Sequence, residues 1–317
     1  MEDEVLELSE QGEETTLTVG EEYNGIRIDK YLSEVLSELS RSYIQKLIED
    51  GNILAAGKPV KANLKVKTGC TVSLYLPEPK EAEIVPEELP LDILYEDKDF
   101  IIINKQKGMV VHPAAGHSSG TLVNALLHHC RGELSGINGV LRPGIVHRID
   151  RDTTGVMVAC KNDMAHQFIA EQLKVHSITR KYQALVYHTF KSESGRVEAP
   201  IGRHEKDRKK MSVNHKNGKY AATNYRVIEN LGSKYAYIEC SLETGRTHQI
   251  RVHMASIHHP LLGDTVYGPE KDPFHLEGQA LHAGILGFIH PSTKEYVEFQ
   301  APLPQYFTEL LDKLRGQ

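Results

Sequence analysis

"IVHRIDRDTTGVMV", residues 145 to 158, sets two carboxylates, Asp150 and Asp152, among basic residues and runs through Thr153-Thr154-Gly155 into an apolar stretch. That stretch reads as a strand over Val156 to Ala159, entered from a glycine-bearing turn. His147, Arg148 and Arg151 are at hand to keep a nearby aspartate ionised. An ionised, positioned aspartate serves as a nucleophile, a general base or half of a salt bridge, and locally the salt bridge is the commonest of the three. Asp152, directly before the Thr-Thr-Gly turn, suits a side-chain turn cap. Asp150 is then the better candidate for chemistry.

Other chemistry-bearing clusters lie downstream. "TGRTHQIRVHM", residues 244 to 254, breaks a strand and starts a helix that crowds Arg246, His248, Arg251 and His253 beside Ile250, Val252 and Met254. Such a cluster suits phosphate contact or pairing with a buried acid, against the alternative of a basic surface helix. "RHEKDRKKM", residues 203 to 211, sets Arg203, Lys206, Arg208, Lys209 and Lys210 against only Glu205 and Asp207, a density fit for backbone phosphates. "RKYQALV", residues 180 to 186, places Tyr182 at the head of a strand.

Around these clusters, apolar runs predict strands at Ile93 to Tyr95, Phe100 to Ile103, Val156 to Ala159, Tyr182 to Tyr187, Ala236 to Cys240 and Tyr296 to Phe299. Helical spacing appears at Leu122 to His129, Ala165 to Lys174, Thr247 to Ile257 and Tyr306 to Leu314. Strands outnumber helices without regular alternation, which predicts a mixed α+β domain over residues 91–317 rather than a doubly wound sheet. Pro77, Pro79, Pro86 and Pro90 mark a linker over 77–90.

The 317 residues are 40% apolar and 25% charged, with no Trp. No stretch has the roughly 20 consecutive apolar residues of a membrane helix, and the N-terminus lacks the regions of a signal peptide, so a cytoplasmic protein is expected. The four cysteines form no Cys-x-x-Cys pair and are expected as small buried hydrophobes. Residues 1–22 carry nine acids and no Lys or Arg, and are expected as a disordered acidic tail. The formal charge is −6, so the remaining 295 residues stand at +3, which no longer argues against a nucleic-acid partner.

From Tyr23, apolar residues at Ile28, Leu32, Val35, Leu36 and Leu39, then at Tyr43, Ile44, Leu47 and Ile48, predict two short amphipathic helices. Ser40 can cap the second and Gly51 can close it. Short extended pieces follow near Ile53 to Leu54 and Val72 to Leu76, with Lys58, Lys61, Lys65 and Lys67 between them. The pattern R-x-D-K-Y-L…S-R-S…I-x-x-G-x-I…G-K-x-V-K over residues 23–76 resembles the S4 RNA-binding module, a helix-turn-helix with a small hairpin. Ala55-Ala56 departs from that module's more usual Val-Asn, which puts one turn contact in doubt.

No phosphate loop, dinucleotide fingerprint or His-Glu-x-x-His occurs, His128 and His129 are adjacent and diverge on a helix, and His253, His258 and His259 lack a Cys or acid at ligand spacing, so neither cofactor nor metal is expected. Together, "HRIDRDTTG" at 147–155, "RKYQALV", "GRTHQIRVHMASIHHPLLGDTVYG" at 245–268 and "QALHAGILGFIHP" at 279–291 resemble the RluA/RluD-type pseudouridine synthase family. The resemblance is closest to the RluD kind and runs from about residue 23 onward. It implies a mainly antiparallel mixed sheet of pseudouridine synthase type behind the S4 module, and isomerisation of uridine in RNA, with 23S (large-subunit) ribosomal RNA or its precursor as the expected partner; no obligatory protein partner is evident in the sequence, and a monomer is expected. It also implies Asp150 as nucleophile, Tyr182 stacked on the target base and assisting proton removal from C5, and Arg251 paired with Asp150. Arg148 and Arg246 would guide RNA, with Lys58, Lys61, Arg203, Arg208, Lys209 and Lys210 on its backbone.

The implied chemistry agrees with the residues. The product is an isomer, so no redox change, energy source or acceptor is required. Attack at C1′, assistance to a glycal and addition at C6 remain open for Asp150, and each uses an ionised carboxylate that Arg251 would favour. A glycosidase would also use paired carboxylates, but its clefts favour Trp platforms and this chain has none. A non-catalytic S4-type assembly factor would keep every RNA-binding feature and would tolerate Asp150→Asn.

Overall fold

The computed structural model describes residues 14–36, 39–77, 84–113, 117–137, 142–207 and 210–316. The chain divides into two compact units, Met1–Glu81 and Ala82–Gln317. In the first, β1 (Glu14–Thr18), α1 (Ile28–Val35), α2 (Arg41–Glu49), β2 (Ile53–Ala55), β3 (Lys58–Pro59) and β4 (Thr71–Tyr75) form an antiparallel sheet of order β1-β4-β2-β3 with two helices. Ile28, Leu32, Ile44 and Leu47 of the helices share one core with Ile53, Val72 and Leu74 of the sheet. The Ser40 hydroxyl accepts the Tyr43 amide at 3.3 Å, and Gly51 closes α2 at φ 79°, as expected.

The acidic stretch is shorter than expected. Residues 14–18 pair with β4, and Leu17 and Val19 are buried. Thr15, Thr16 and Thr18 favour extended backbone and Leu17 supplies the inward side chain, a signal outweighed by the acid count of the whole segment. Residues 1–13 lie outside the described residues. The expected linker is likewise held along part of its length: the Asn124 side-chain amide donates to the Val85 carbonyl at 2.8 Å, and the Glu87 amide donates to the Asn124 carbonyl.

In the second unit, β5 (Ile93–Glu96), β6 (Phe100–Lys105), α3 (Leu122–Cys130), β7 (Thr154–Cys160), α4 (Asp163–Lys174) and β8 (Thr179–Tyr187) are followed by β9 (Ser194–Glu198), β10 (Ile201–Arg203) and β11 (Met211–Val213). Then come β12 (Ala222–Leu231), β13 (Tyr235–Leu242), α5 (Gln249–Ser256), β14 (Leu281–Ile289), β15 (Tyr296–Gln300) and α6 (Gln305–Arg315). Nine strands form one sheet in the order β5-β6-β7-β14-β8-β13-β12-β9, with β15 also on β14, and β10-β11 is a separate hairpin. Among the described residues only β7–β14 is parallel, so the sheet is mixed and mainly antiparallel, as expected.

The core follows from sequence. Phe100, Ile101, Ile102 and Ile103 of β6 and the whole of β7 are buried on both faces, which is why both read as unbroken apolar runs. Gly155 has φ 111°, and a Cβ there would stand 2.1 Å from the Ala283 carbonyl oxygen. Only glycine permits that approach of β7 to β14, and the loop carrying Asp150 is thereby set at the mouth of the sheet.

Candidate active site

Three segments meet at Asp150. Its carboxylate stands on the loop before β7, with its side chain 20% exposed. Arg251, one turn into α5, donates to Asp150 Oδ2 from Nη1 at 2.9 Å. The same guanidinium forks onto Asp264 through Nε at 2.7 Å and Nη2 at 2.9 Å. Asp264 is buried and also accepts the Val266 and Tyr267 amides at 3.0 Å. Burial would raise the Asp264 carboxyl, but Arg251 and the two amides outweigh it and hold it below the usual carboxylate range. Burial likewise opposes charge on Arg251, yet the two carboxylates push its pKa up. The result is a planar donor fixed from behind that presents one N–H to Asp150.

Tyr182 lies on the wall of the same cleft. On β8, Arg180, Tyr182 and Ala184 point inward while Thr179, Lys181 and Gln183 are half-buried, the two-residue alternation of a strand. Tyr182 is 9% exposed, and burial raises its phenol pKa. With Arg148, Asp150, Arg246, His248 and Arg251 it lines an open cleft of about 370 Å³. The cleft thus holds a carboxylate, an aromatic wall and several cations, a set able to bind an anionic polymer and act on a flat ring.

Arg148 and Arg246 front this cleft. The Arg148 guanidinium faces His112 Nε2 at 3.4 Å, and Arg246 Nε donates to the Tyr220 carbonyl at 2.9 Å. His112 is pushed down to about 4 by burial and then by Arg148 and Arg142, so its neutral ring accepts without cancelling the Arg148 charge. Lys58 and Lys61 are exposed on the first unit, Arg203 is exposed and Lys210 half-buried on the second, and Arg208 and Lys209 lie outside the described residues. Asp152 does not cap the turn: its carboxylate accepts Arg151 Nε at 3.0 Å, the neighbouring guanidinium reaching it before any turn amide.

Residues without a sequence signal complete the site. Lys105, 1% exposed at the end of β6, donates to the Gln106, Met109 and Arg151 carbonyls at 2.8–2.9 Å and ties the Asp150 loop to the sheet. Burial pulls its pKa down to about 7, against the pull of Asp152 and Asp150. Arg180 is buried, its Nε and Nη2 meet no protein acceptor among the described residues, and Gly245 leaves room for its Nη1. Asp97, Asp99 and His290 cluster closely enough for a cation. Their oxygens are already engaged by the Asp99 and Phe100 amides, Tyr95, His290, Asn162 and the Ser292 hydroxyl, so the cluster reads as a closed hydrogen-bond hub.

Acid should weaken this region. His147 accepts the Val158 amide at Nε2 and is pushed down to about 4, by burial first and then Arg180. For His112 and His147 the folded pKa lies below the unfolded value near 6.5, so unfolding takes up protons in that window. Their contribution is full above pH 6.5 and is lost as pH falls towards 4, on the order of 1–3 kcal/mol each. Urea midpoints from pH 7 to 4 should fall accordingly, and His112→Gln should flatten the slope; an unchanged slope would show that His112 does not bury neutral.

Comparison with known proteins gives the family. Residues 99–256 match the family model for RNA pseudouridylate synthase, and residues 26–72 match the S4 domain. The chain is 50% identical over 299 residues to the uncharacterized RNA pseudouridine synthase YlyB of Bacillus subtilis, covering 94% of this chain and 97% of that one. It is 47% identical to ribosomal large subunit pseudouridine synthase D of Zymomonas mobilis (92% and 94% covered) and 42% identical to the Escherichia coli K12 protein of that name (95% and 94%). Human RNA pseudouridylate synthase domain containing 4 superposes with a TM-score of 0.54 at 28% identity, covering 71% of this chain and 93% of that one. A sheet that brings an aspartate, an arginine and a tyrosine into one cleft, and relatives matched along more than nine-tenths of the length, establish that the chain belongs to the RNA pseudouridine synthase family and carries an S4 domain.

Proposed function

We propose that this protein converts uridine to pseudouridine in 23S (large-subunit) ribosomal RNA, with Asp150 as nucleophile, Tyr182 as the base-stacking wall and Arg251 as the cation that aims Asp150. The observation that carries the reading is the Asp264–Arg251–Asp150 chain of charge-assisted hydrogen bonds, ending in a cleft walled by Tyr182. A carboxylate so held is aimed into the cleft, which suits attack at C1′, assistance to a glycal or addition at C6. The target uridine leaves its stack to enter the cleft, and the Tyr182 ring replaces part of the lost stacking. Arg148 and Arg246 at the rim, with Lys58, Lys61 and the basic 203–210 segment, bind backbone phosphates without reading sequence. Relatives named for the large ribosomal subunit support the choice of RNA. The reaction rearranges one nucleotide and needs no acceptor, so it calls for neither metal nor cofactor; a cytoplasmic monomer completes the reading. No helix among the described residues is long and apolar enough to cross a membrane.

Tritium release from 5-tritiated uridine tests this. Wild-type enzyme should release tritium from unmodified 23S rRNA, free or in large subunits, and not from 16S rRNA or tRNA. Release from tRNA alone would overturn the substrate, and no release from any RNA would overturn the activity.

A further inference from the structure

His248 fronts the Asp150 cleft without a task in the scheme above. It precedes α5 at φ 55°, in the left-handed region that non-glycine residues rarely adopt and that clusters at functional sites. Its Nε2 lies 3.8 Å from Asp150 Oδ1, too far for a hydrogen bond. From behind, its Nδ1 stands 2.8 Å from the Tyr267 hydroxyl. That hydroxyl already accepts the Met211 amide at 2.8 Å. Among the described residues the one phenolic proton has no acceptor but Nδ1, so a neutral ring carries its own proton on Nε2. Burial lowers the ring's pKa, Arg251 and Arg148 acting with it and Asp150 and Asp264 against, which keeps the imidazole neutral. The cleft therefore holds a fixed N–H donor beside the carboxylate.

The reaction calls for such a donor. When the N1–C1′ bond breaks, its electron pair stays on the base, and the uracil anion spreads charge onto O2 and O4. That charge develops beside Asp150, while Arg251 is already committed to two carboxylates. To present C5 to C1′, the base turns half a revolution about its N3–C6 axis. This turn exchanges N1 with C5 and, with them, O2 with O4. One stationary donor thus meets a carbonyl oxygen in both orientations.

We propose that His248 is a further catalytic residue, donating from Nε2 to a carbonyl oxygen of the base, O2 before the turn and O4 after it, with Tyr267 as the positioning residue that fixes the tautomer. Where Asp150 has bonded to C1′, that bond breaks and its pair returns to the carboxylate as the C5–C1′ bond forms with the pair from C5; the C5 proton then leaves and N1 takes one up. His248 keeps its proton throughout and acts as an oxyanion-type donor.

This assignment rests on the synthase reading, and one experiment separates the two. Single-turnover tritium release at saturating enzyme, RNA Kd and thermal melting are measured for wild type, His248→Ala, His248→Gln and Tyr267→Phe. His248→Ala should slow turnover by roughly 10²-fold, the effect of removing one such donor, with Kd and melting nearly unchanged. His248→Gln, whose side-chain N–H can reach the same place, should regain at least about tenfold of that loss, and Tyr267→Phe should be slowed less than His248→Ala. The proposal is overturned if wild type turns over and His248→Ala keeps its rate, if Ala and Gln are equally slow, or if the loss lies wholly in Kd. A wild type inactive on every RNA would remove the synthase reading and the His248 assignment with it.

Discussion

Asp150→Asn should lose turnover by at least about 10³-fold while its affinity for RNA stays within about twofold of wild type, as removal of a nucleophile does elsewhere. The carboxylate and the amide that replaces it have the same shape. The amide oxygen can still accept Arg251 Nη1, which stands 2.9 Å from Asp150 Oδ2, and Asp264 keeps both of its Arg251 bonds. Loss of one negative charge from a cleft that meets a polyanion can only help binding. What the amide lacks is the charge to attack or to stabilise a cation at C1′, so the loss falls on the chemical step. Single-turnover tritium release and filter binding on the same RNA separate the two effects. Retained turnover would exclude Asp150 as nucleophile. A cellular role fully supported by Asp150→Asn would return the protein to the assembly-factor reading.

What the sequence made legible follows from where burial leaves a local mark. β6 and β7 were plain because a strand buried on both faces must be apolar at every position. The central strand β14, "LHAGILGFI", carried no such mark. His282 is buried there on a bond to Thr154 Oγ1, and Gly284 and Gly287 are small because Gln183 and Tyr296 cross them. β12 was missed for the opposite reason: several of its side chains face solvent, and "TNYRVIEN" reads as polar chain. Of the proposed site residues, Asp150, Tyr182 and Arg251 stand in motifs. Asp264 and Lys105 were not singled out, because nothing beside them says that a charge is buried. Their partners are 13 residues away for Asp264 with Arg251 and 46 for Lys105 with Arg151. The Asp152 turn cap failed because the preference for aspartate before a turn took no account of the guanidinium next door.

Arg251→Met should cost stability as well as activity, and the two losses can be pulled apart. Asp264 is buried, and Arg251 supplies its only counter-charge among the described residues, leaving two amides once the guanidinium is gone. Breaking one partner of a buried pair typically destabilises by about 3–5 kcal/mol, because the other charge is stranded. The sign with pH follows from the same residue. In wild type the Asp264 pKa is depressed, so its stabilisation is present above the unfolded carboxylate value and fades as pH falls below it. In Arg251→Met the stranded carboxylate titrates above that value, so its penalty is largest at neutral pH and shrinks in acid. The two stability curves should therefore converge at low pH. Arg251→Met with Asp264→Asn removes both buried charges and should recover much of the stability at pH 7. Turnover should not recover, because Asp150 still lacks its donor. If the double variant regained activity along with stability, Arg251 would be a structural brace for Asp264 alone, and the aiming of Asp150 would have to be sought in the Lys105-anchored loop.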